Sequence, residues 1–192
     1  MFDDLYSKPP YRVILADPPW SFKTFSDKGL GKSPQQHYGC MTLDDIINMP
    51  VDQLADPAGC VLILWATAPM MPQALTTMLA WGFRYKTMGA WAKQSSTGKK
   101  WSFGTGFVYR SAAEFWLYGT IGKPKQKVRN VRNLVVAPVR EHSRKPEQMR
   151  RNIEALWDGP YLELFSRETA RGWDSWGNET SKFPVAELQH SV

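Results

Sequence analysis

The stretch Val13-Ile14-Leu15-Ala16-Asp17-Pro18-Pro19-Trp20 constrains this chain more than any other. Its four consecutive apolar residues read as a buried strand. That strand must stop pairing at Asp-Pro-Pro, because neither proline has an N–H to donate and each holds φ near −65°. A residue that precedes a proline is pushed towards extended backbone, so Asp17 and Pro18 leave the sheet extended. The turn then offers a carboxylate, carbonyl oxygens and an aromatic ring. Rich in acceptors and poor in donors, it suits an exocyclic amine on a flat ring, adenine's above all. The same residues also serve as a plain turn in many loops. Their place at the end of a buried strand favours a site, since open α/β sheets bind ligands at the carboxyl ends of their strands.

The remaining pattern is that of an α/β chain. Strands are expected at 11–16, 60–66, 85–93, 114–119, 134–138 and 161–165, and the run 60–66 is apolar on both faces, as in a central parallel strand. Helices are expected at 43–49, capped by Thr42, at 72–80, and from Lys145-Pro146-Glu147 to 155, capped by Ser143. Strands alternating with helices predict a largely parallel sheet, with the pair around 94–113 antiparallel. Two long loops stand out. The first, 20–40, directly follows the key turn, the place for a lid that closes on substrate. The second, 94–113, is polar, glycine-containing and studded with Trp101, Phe103, Phe107 and Tyr109. Residues 166–180 read as irregular. A chain of 192 residues fits one domain, here 11–180, between a short lead at 1–10 and a loose tail at 181–192.

Composition narrows the partners. No apolar run approaches the length of a membrane span, and the acidic start has no signal-peptide pattern, so a cytoplasmic protein is expected, with no membrane partner. Two cysteines and three scattered histidines give neither a disulfide framework nor a metal site. The net charge of +6 is local: residues 123–151 hold ten Lys/Arg against Glu141 and Glu147. A solvated face is one reading. An anionic partner is the other, with Lys123, Lys125, Lys127, Arg129 and Arg132 as phosphate ligands and Lys93, Lys99, Lys100 and Arg110 in support. Nine tryptophans suit a polynucleotide, because every base has a face to stack. Tyr38, Trp91, Trp101 and Phe103 are candidates beside Trp20.

An adenine amino nitrogen is a poor nucleophile, because its lone pair is delocalised into the ring. Acceptors aimed at its two hydrogens, the Asp17 carboxylate and the Pro18 carbonyl, favour a pyramidal nitrogen and restore that lone pair. Trp20 would hold the base by stacking. An electrophile held in line completes a group transfer.

Asp17-Pro18-Pro19-Trp20 resembles the catalytic motif of the adenine-N6 methyltransferases related to the catalytic subunit of the eukaryotic mRNA adenosine methyltransferase. Three further segments resemble that family in the same order. Ser143-Arg144-Lys145-Pro146-Glu147 is similar to its S-x-K-P-[DE] segment, Glu163-Leu164-Phe165-Ser166-Arg167 to its E-L-F-x-R, and Gly172-Trp173-Asp174-Ser175-Trp176-Gly177-Asn178-Glu179 to its G-W-x-x-W-G-N-[EQ]. The resemblance implies a Rossmann-like α/β methyltransferase with S-adenosyl-L-methionine as donor and no metal. It places the catalytic motif, Asp17 to Trp20, before the cofactor-binding motifs. It also implies a cofactor set of Asp17, Lys145, Phe165, Arg167, Asn178 and Glu179, with Lys145 on the cofactor's carboxylate and Arg167 and Asn178 towards its ribose and adenine edge. Trp173 and Trp176 read as walls. At 168–171 the chain has Glu-Thr-Ala-Arg, where the eukaryotic enzyme has a histidine and an asparagine that touch the cofactor. The substrate implied is adenine in nucleic acid, DNA favoured and RNA the alternative, for a monomer or homodimer of the compact bacterial or phage-encoded type. A nucleic-acid-binding partner without activity is a competing class, and the intact Asp-Pro-Pro-Trp argues against it. Cytosine N4 or a glutamine amide is a further conceivable acceptor.

Overall fold

In the computed structural model the described residues are 1–20, 41–141 and 144–180, with the backbone of 183–186. The loop expected over most of 20–40, its Tyr38 and the Ser143 cap lie outside the described residues, as does most of the expected tail. In chain order the elements are helix α1 (Asp3–Tyr6), strand β1 (Val13–Ala16), helix α2 (Leu43–Ile47), β2 (Gly59–Ala66), helix α3 (Met71–Ala80), β3 (Arg84–Gln94), β4 (Ala113–Gly122), β5 (Leu134–Pro138), helix α4 (Gln148–Leu156), β6 (Tyr161–Leu164), β7 (Glu168–Ala170), β8 (Trp173–Trp176) and β9 (Phe183–Ala186).

Seven of these strands form one sheet in the order β5-β3-β4-β2-β1-β6-β8. β1 runs parallel to β2 and β6, and β6 parallel to β8. β4 runs against both β2 and β3, and β5 returns parallel to β3. All four residues of β1 are buried, because both faces of the sheet are covered. Ile14, Ala16, Leu62 and Leu64 point to one core with Ile46 of α2 and Ala74 and Met78 of α3. Val13, Leu15, Val61 and Ile63 point to the other, with Met149 and Ile153 of α4. This is the period-two alternation of a strand with apolar residues on both faces. Thr42 caps α2 as its sequence predicts, and Asp45 completes a capping box with it.

Three expectations change. Residues 166–180 are not irregular: β8 adds a parallel edge to β6, and β7 pairs in parallel with β9, which lies in the stretch expected as tail. Strands of three or four residues with Asp and Ser among them carry too little apolar pattern to be read locally. In the expected lead, Leu5 of α1 and the preceding Phe2 are buried, with Phe2 edge-on to Trp176 at 5.0 Å. Finally, α4 begins at Gln148 after Glu147, so Lys145 precedes the helix. Pro146 disfavours the helical region for the residue before it.

Candidate active site

The parallel strands β1 and β6 deliver Asp17 and Phe165 side by side, with the Asp17 N–H donating to the Leu164 carbonyl at 3.4 Å. β4 enters from the opposite direction, so its first residues stand at this same end: Phe115 pairs with Ala66, the last residue of β2. Glu114 thereby reaches the end of the sheet that carries Asp17.

The turn closes on itself. The Trp20 N–H donates to the Pro18 carbonyl at 2.8 Å, which uses part of that oxygen's capacity as an acceptor. The Trp20 indole N–H donates to the Trp65 carbonyl at 2.9 Å, and the ring is only 4% exposed. Trp20 therefore pins the turn to the end of β2 and, in this structure, presents no open face to a base.

Around Asp17 the charges alternate. Lys145 Nζ lies 2.7 Å from Asp17 Oδ2 and 3.2 Å from Glu114 Oε2, and 5.4 Å from the centre of the Trp65 ring. Lys93 takes the other oxygen of Glu114. Burial alone would push the Lys145 ammonium down, but Asp17 and Glu114 hold it well above the usual lysine range. Burial alone would push Glu114 up, yet Lys145 and Lys93 hold its carboxyl at about 2. A carboxyl held below its usual 4.5 contributes stability above that value and loses it as pH falls through the lower one. Glu114→Gln is therefore expected to flatten the loss of stability between about pH 5 and pH 2. Urea midpoints measured across that range check this, and a slope equal to the parent's would detach Glu114 from the network. No local sequence signal marks Glu114, which meets Lys145 only through the direction of β4.

Behind this network lies a second one. Arg150 reaches Glu163 through Nε at 2.9 Å and Nη2 at 2.6 Å, and Glu168 through Nη1 at 2.8 Å. Arg144 also binds Glu168, and Arg140 lies 3.3 Å from Glu147. Burial raises the Glu163 carboxyl despite Arg150, whereas Arg150 and Arg144 outweigh burial at Glu168 and lower it. Between them the chain turns through Phe165, whose φ of 60° lies in the left-handed region that a non-glycine residue adopts at a cost of roughly 1–3 kcal/mol. That turn carries Arg167 to a cleft shared by Asp17, Lys145, Phe165 and Arg150.

Of the expected cofactor set, Asp17, Lys145, Phe165 and Arg167 line this one cleft. Glu179 sits 3.5 Å from Arg167, while Asn178 is exposed beyond β8 and outside the lining. Trp173 and Trp176 do not line the cleft but pack with the two cores: Trp173 stacks on Tyr161 at 4.9 Å and Trp176 meets Phe165 edge-on at 5.6 Å. Trp91, only 2% exposed, offers no stacking face.

The basic run does not form one surface. Lys123 hydrogen-bonds through its N–H to the Ala58 carbonyl just before β2, and Lys127 to the Leu156 carbonyl, with its ammonium on Asp158 at 3.0 Å. Lys123, Lys125 and Lys127 are exposed at the end of the sheet opposite Asp17. Arg129 and Arg132 are exposed on the approach to the edge strand β5. Arg140, Arg144, Lys145 and Arg150 turn inwards to carboxylates.

An open sheet with a charged cleft at the carboxyl ends of adjacent parallel strands is a ligand-binding α/β domain of Rossmann-like type. The MT-A70 family matches residues 11–179, from just before β1 to just beyond β8. The chain belongs to the MT-A70 family. It is 30% identical over 199 residues to the type II methyltransferase M.MunI of Mycoplasma sp, covering 92% of this chain and 82% of that protein. The human N(6)-adenine-specific methyltransferase METTL4 is 28% identical over 192 residues, with 90% of this chain and 38% of that protein covered. For the human N(6)-adenosine-methyltransferase catalytic subunit METTL3 the figures are 27% over 174 residues, 88% and 28%. The chain thus spans most of M.MunI but well under half of the two human proteins.

Proposed function

We propose that this protein transfers a methyl group from S-adenosylmethionine to the N6 amine of adenine in a polynucleotide, DNA in preference to RNA. One observation carries the reading. Lys145 holds Asp17 Oδ2, while Oδ1 has no partner among the described residues. A carboxylate fixed at one oxygen and open at the other is a positioned acceptor for an amine hydrogen. The Pro18 carbonyl retains capacity for the second hydrogen. Together they oppose delocalisation of the amine's lone pair and stabilise the positive charge that grows on nitrogen as the new bond forms. The proton leaves only after nitrogen has become cationic, so no strong base is required.

The residues fit the donor. The adjacent ammonium of Lys145 and carboxylate of Asp17 match the opposite charges of an α-amino acid group. Arg167 supplies planar donors at the cleft rim, beside Glu179 and Phe165. Lys145, Phe165, Arg167 and Glu179 would hold S-adenosylmethionine, with Asn178 at the outer edge. Bound there, it supplies an electrophilic methyl group on a sulfonium. Asp17 therefore faces both substrates.

DNA is favoured because the likeness to a type II methyltransferase runs nearly the full length of that protein, whereas the relatives named for adenosine are far longer than this chain. The test is transfer of labelled methyl from S-adenosylmethionine to single-stranded DNA, duplex DNA and RNA of one sequence, followed by nucleoside analysis. N6-methyladenine formed most rapidly in DNA is expected. Faster methylation of RNA would reverse the polymer preference, and label on cytosine or on protein would remove adenine as the acceptor.

A further inference from the structure

The connection between β3 and β4 is not a slack loop. Beyond the paired strands, the Ser102 N–H donates to the Lys93 carbonyl at 2.9 Å, the Gly104 N–H to Ser111 at 2.7 Å and the Ser95 N–H to Lys100 at 2.7 Å. Arg110 donates through Nε to the Gly104 carbonyl at 3.0 Å, with its guanidinium 4.6 Å from the Phe103 ring centre. These contacts extend the hairpin as a folded projection. Yet Trp101, Phe103, Phe107, Val108 and Tyr109 are all between 60% and 88% exposed. A folded element that leaves five large apolar side chains in water marks an interaction surface.

Its charge says what kind. From Gln94 to Ala113 there is no acidic residue, while Lys99, Lys100 and Arg110 stand among the rings. Its root is at the catalytic end of the sheet: Lys93 and Glu114 flank it, and Glu114 is bridged by Lys145 to Asp17. We propose that this projection is the stacking platform for a single-stranded polynucleotide segment next to the target adenine. Exposed aromatic faces take bases in a sequence-tolerant way, and interspersed cations take the phosphates between them. The proposal rests on the reading of the site as a nucleic-acid methyltransferase. It moves the polymer contact away from Lys123, Lys125 and Lys127, which lie at the far end of the sheet.

The test measures binding and product separately. The probe is a fluorescein-labelled single-stranded DNA of roughly twenty nucleotides, long enough to cover one stacking groove. The double variant Trp101→Ala/Tyr109→Ala is expected to weaken binding by roughly tenfold or more, and to raise the KM for that DNA while leaving kcat and S-adenosylmethionine affinity unchanged. Arg84→Ala/Lys86→Ala, which removes two exposed cations at the other end of the same hairpin, is expected to bind like the parent. Unchanged DNA affinity in the aromatic variant, or no binding by the parent, overturns the platform. Binding weakened as expected, but with no methylated adenine from the parent, leaves the platform standing and removes the catalytic reading. If the aromatic variant instead converts a dimer to a monomer in sedimentation with DNA affinity intact, the surface is a subunit contact and the proposal fails.

Discussion

Replacing Asp17 with asparagine is expected to lower the rate of methyl transfer by roughly 10²–10³-fold, the usual loss on removing one preorganised electrostatic group from a transition state. The substitution keeps the side chain's shape. It replaces a carboxylate by an amide, and so removes the negative charge that faces nitrogen as it becomes cationic. Facing Lys145, the amide turns its oxygen to the ammonium and leaves an N–H donor where an acceptor is needed. The fold should survive, because Lys145 keeps Glu114 at 3.2 Å. Single-turnover transfer from labelled S-adenosylmethionine, with cofactor affinity measured separately by calorimetry, separates chemistry from binding. A variant that keeps more than about a tenth of the parental rate would take Asp17 out of the chemical step.

Arg150→Met is expected to cost about 3–5 kcal/mol of stability, the range for breaking a buried ion pair from one side. Arg150 is 9% exposed and spans Glu163 and Glu168. Glu168 would keep Arg144. Glu163 would keep no cation among the described residues. Its carboxyl, already raised by burial, would have to take up a proton or draw in water. For a protein of this size the melting temperature should fall by roughly 10 °C, measured by thermal unfolding. Adding Glu163→Leu removes the stranded carboxyl and should restore much of the loss. A drop below about 1 kcal/mol in the single variant would mean that the cluster is solvated rather than buried.

The central strands were legible because β1 and β2 are apolar on both faces, a pattern that few local alternatives share. The turn after β1 was legible because proline states its own geometry. What failed to read were features set by distant partners. β8 is a strand only because β6 offers it an edge. Trp20 lies in an acceptor-rich turn and reads as a stacking face, yet nothing local tells that its ring is buried with the indole N–H on the Trp65 carbonyl. The basic run looked like one face because its residues are close in sequence. The chain from 123 to 151 instead passes along β5 from the far end of the sheet to the cleft, so some of its cations stay in solvent and others meet Glu147, Glu163 and Glu168. Three of the four motifs meet at the cleft, through Asp17, Lys145, Phe165 and Arg167, whereas no residue of the fourth, Gly172 to Glu179, lines it.

The position of β1 between β2 and β6 also orders events in time. Asp17 and Lys145 are 128 residues apart, and β1 precedes every other strand of its sheet in the chain, while one of its two neighbours is among the last. During synthesis β1 can pair with β2, but its other side stays an open sheet edge until Tyr161–Leu164 has been made. Contacts between such distant segments form slowly, and an unpaired apolar edge is where growing chains associate wrongly. A nascent chain halted before β6 would therefore carry the complete Asp-Pro-Pro-Trp turn but no cleft, and would be an aggregation-prone fragment rather than a weak enzyme.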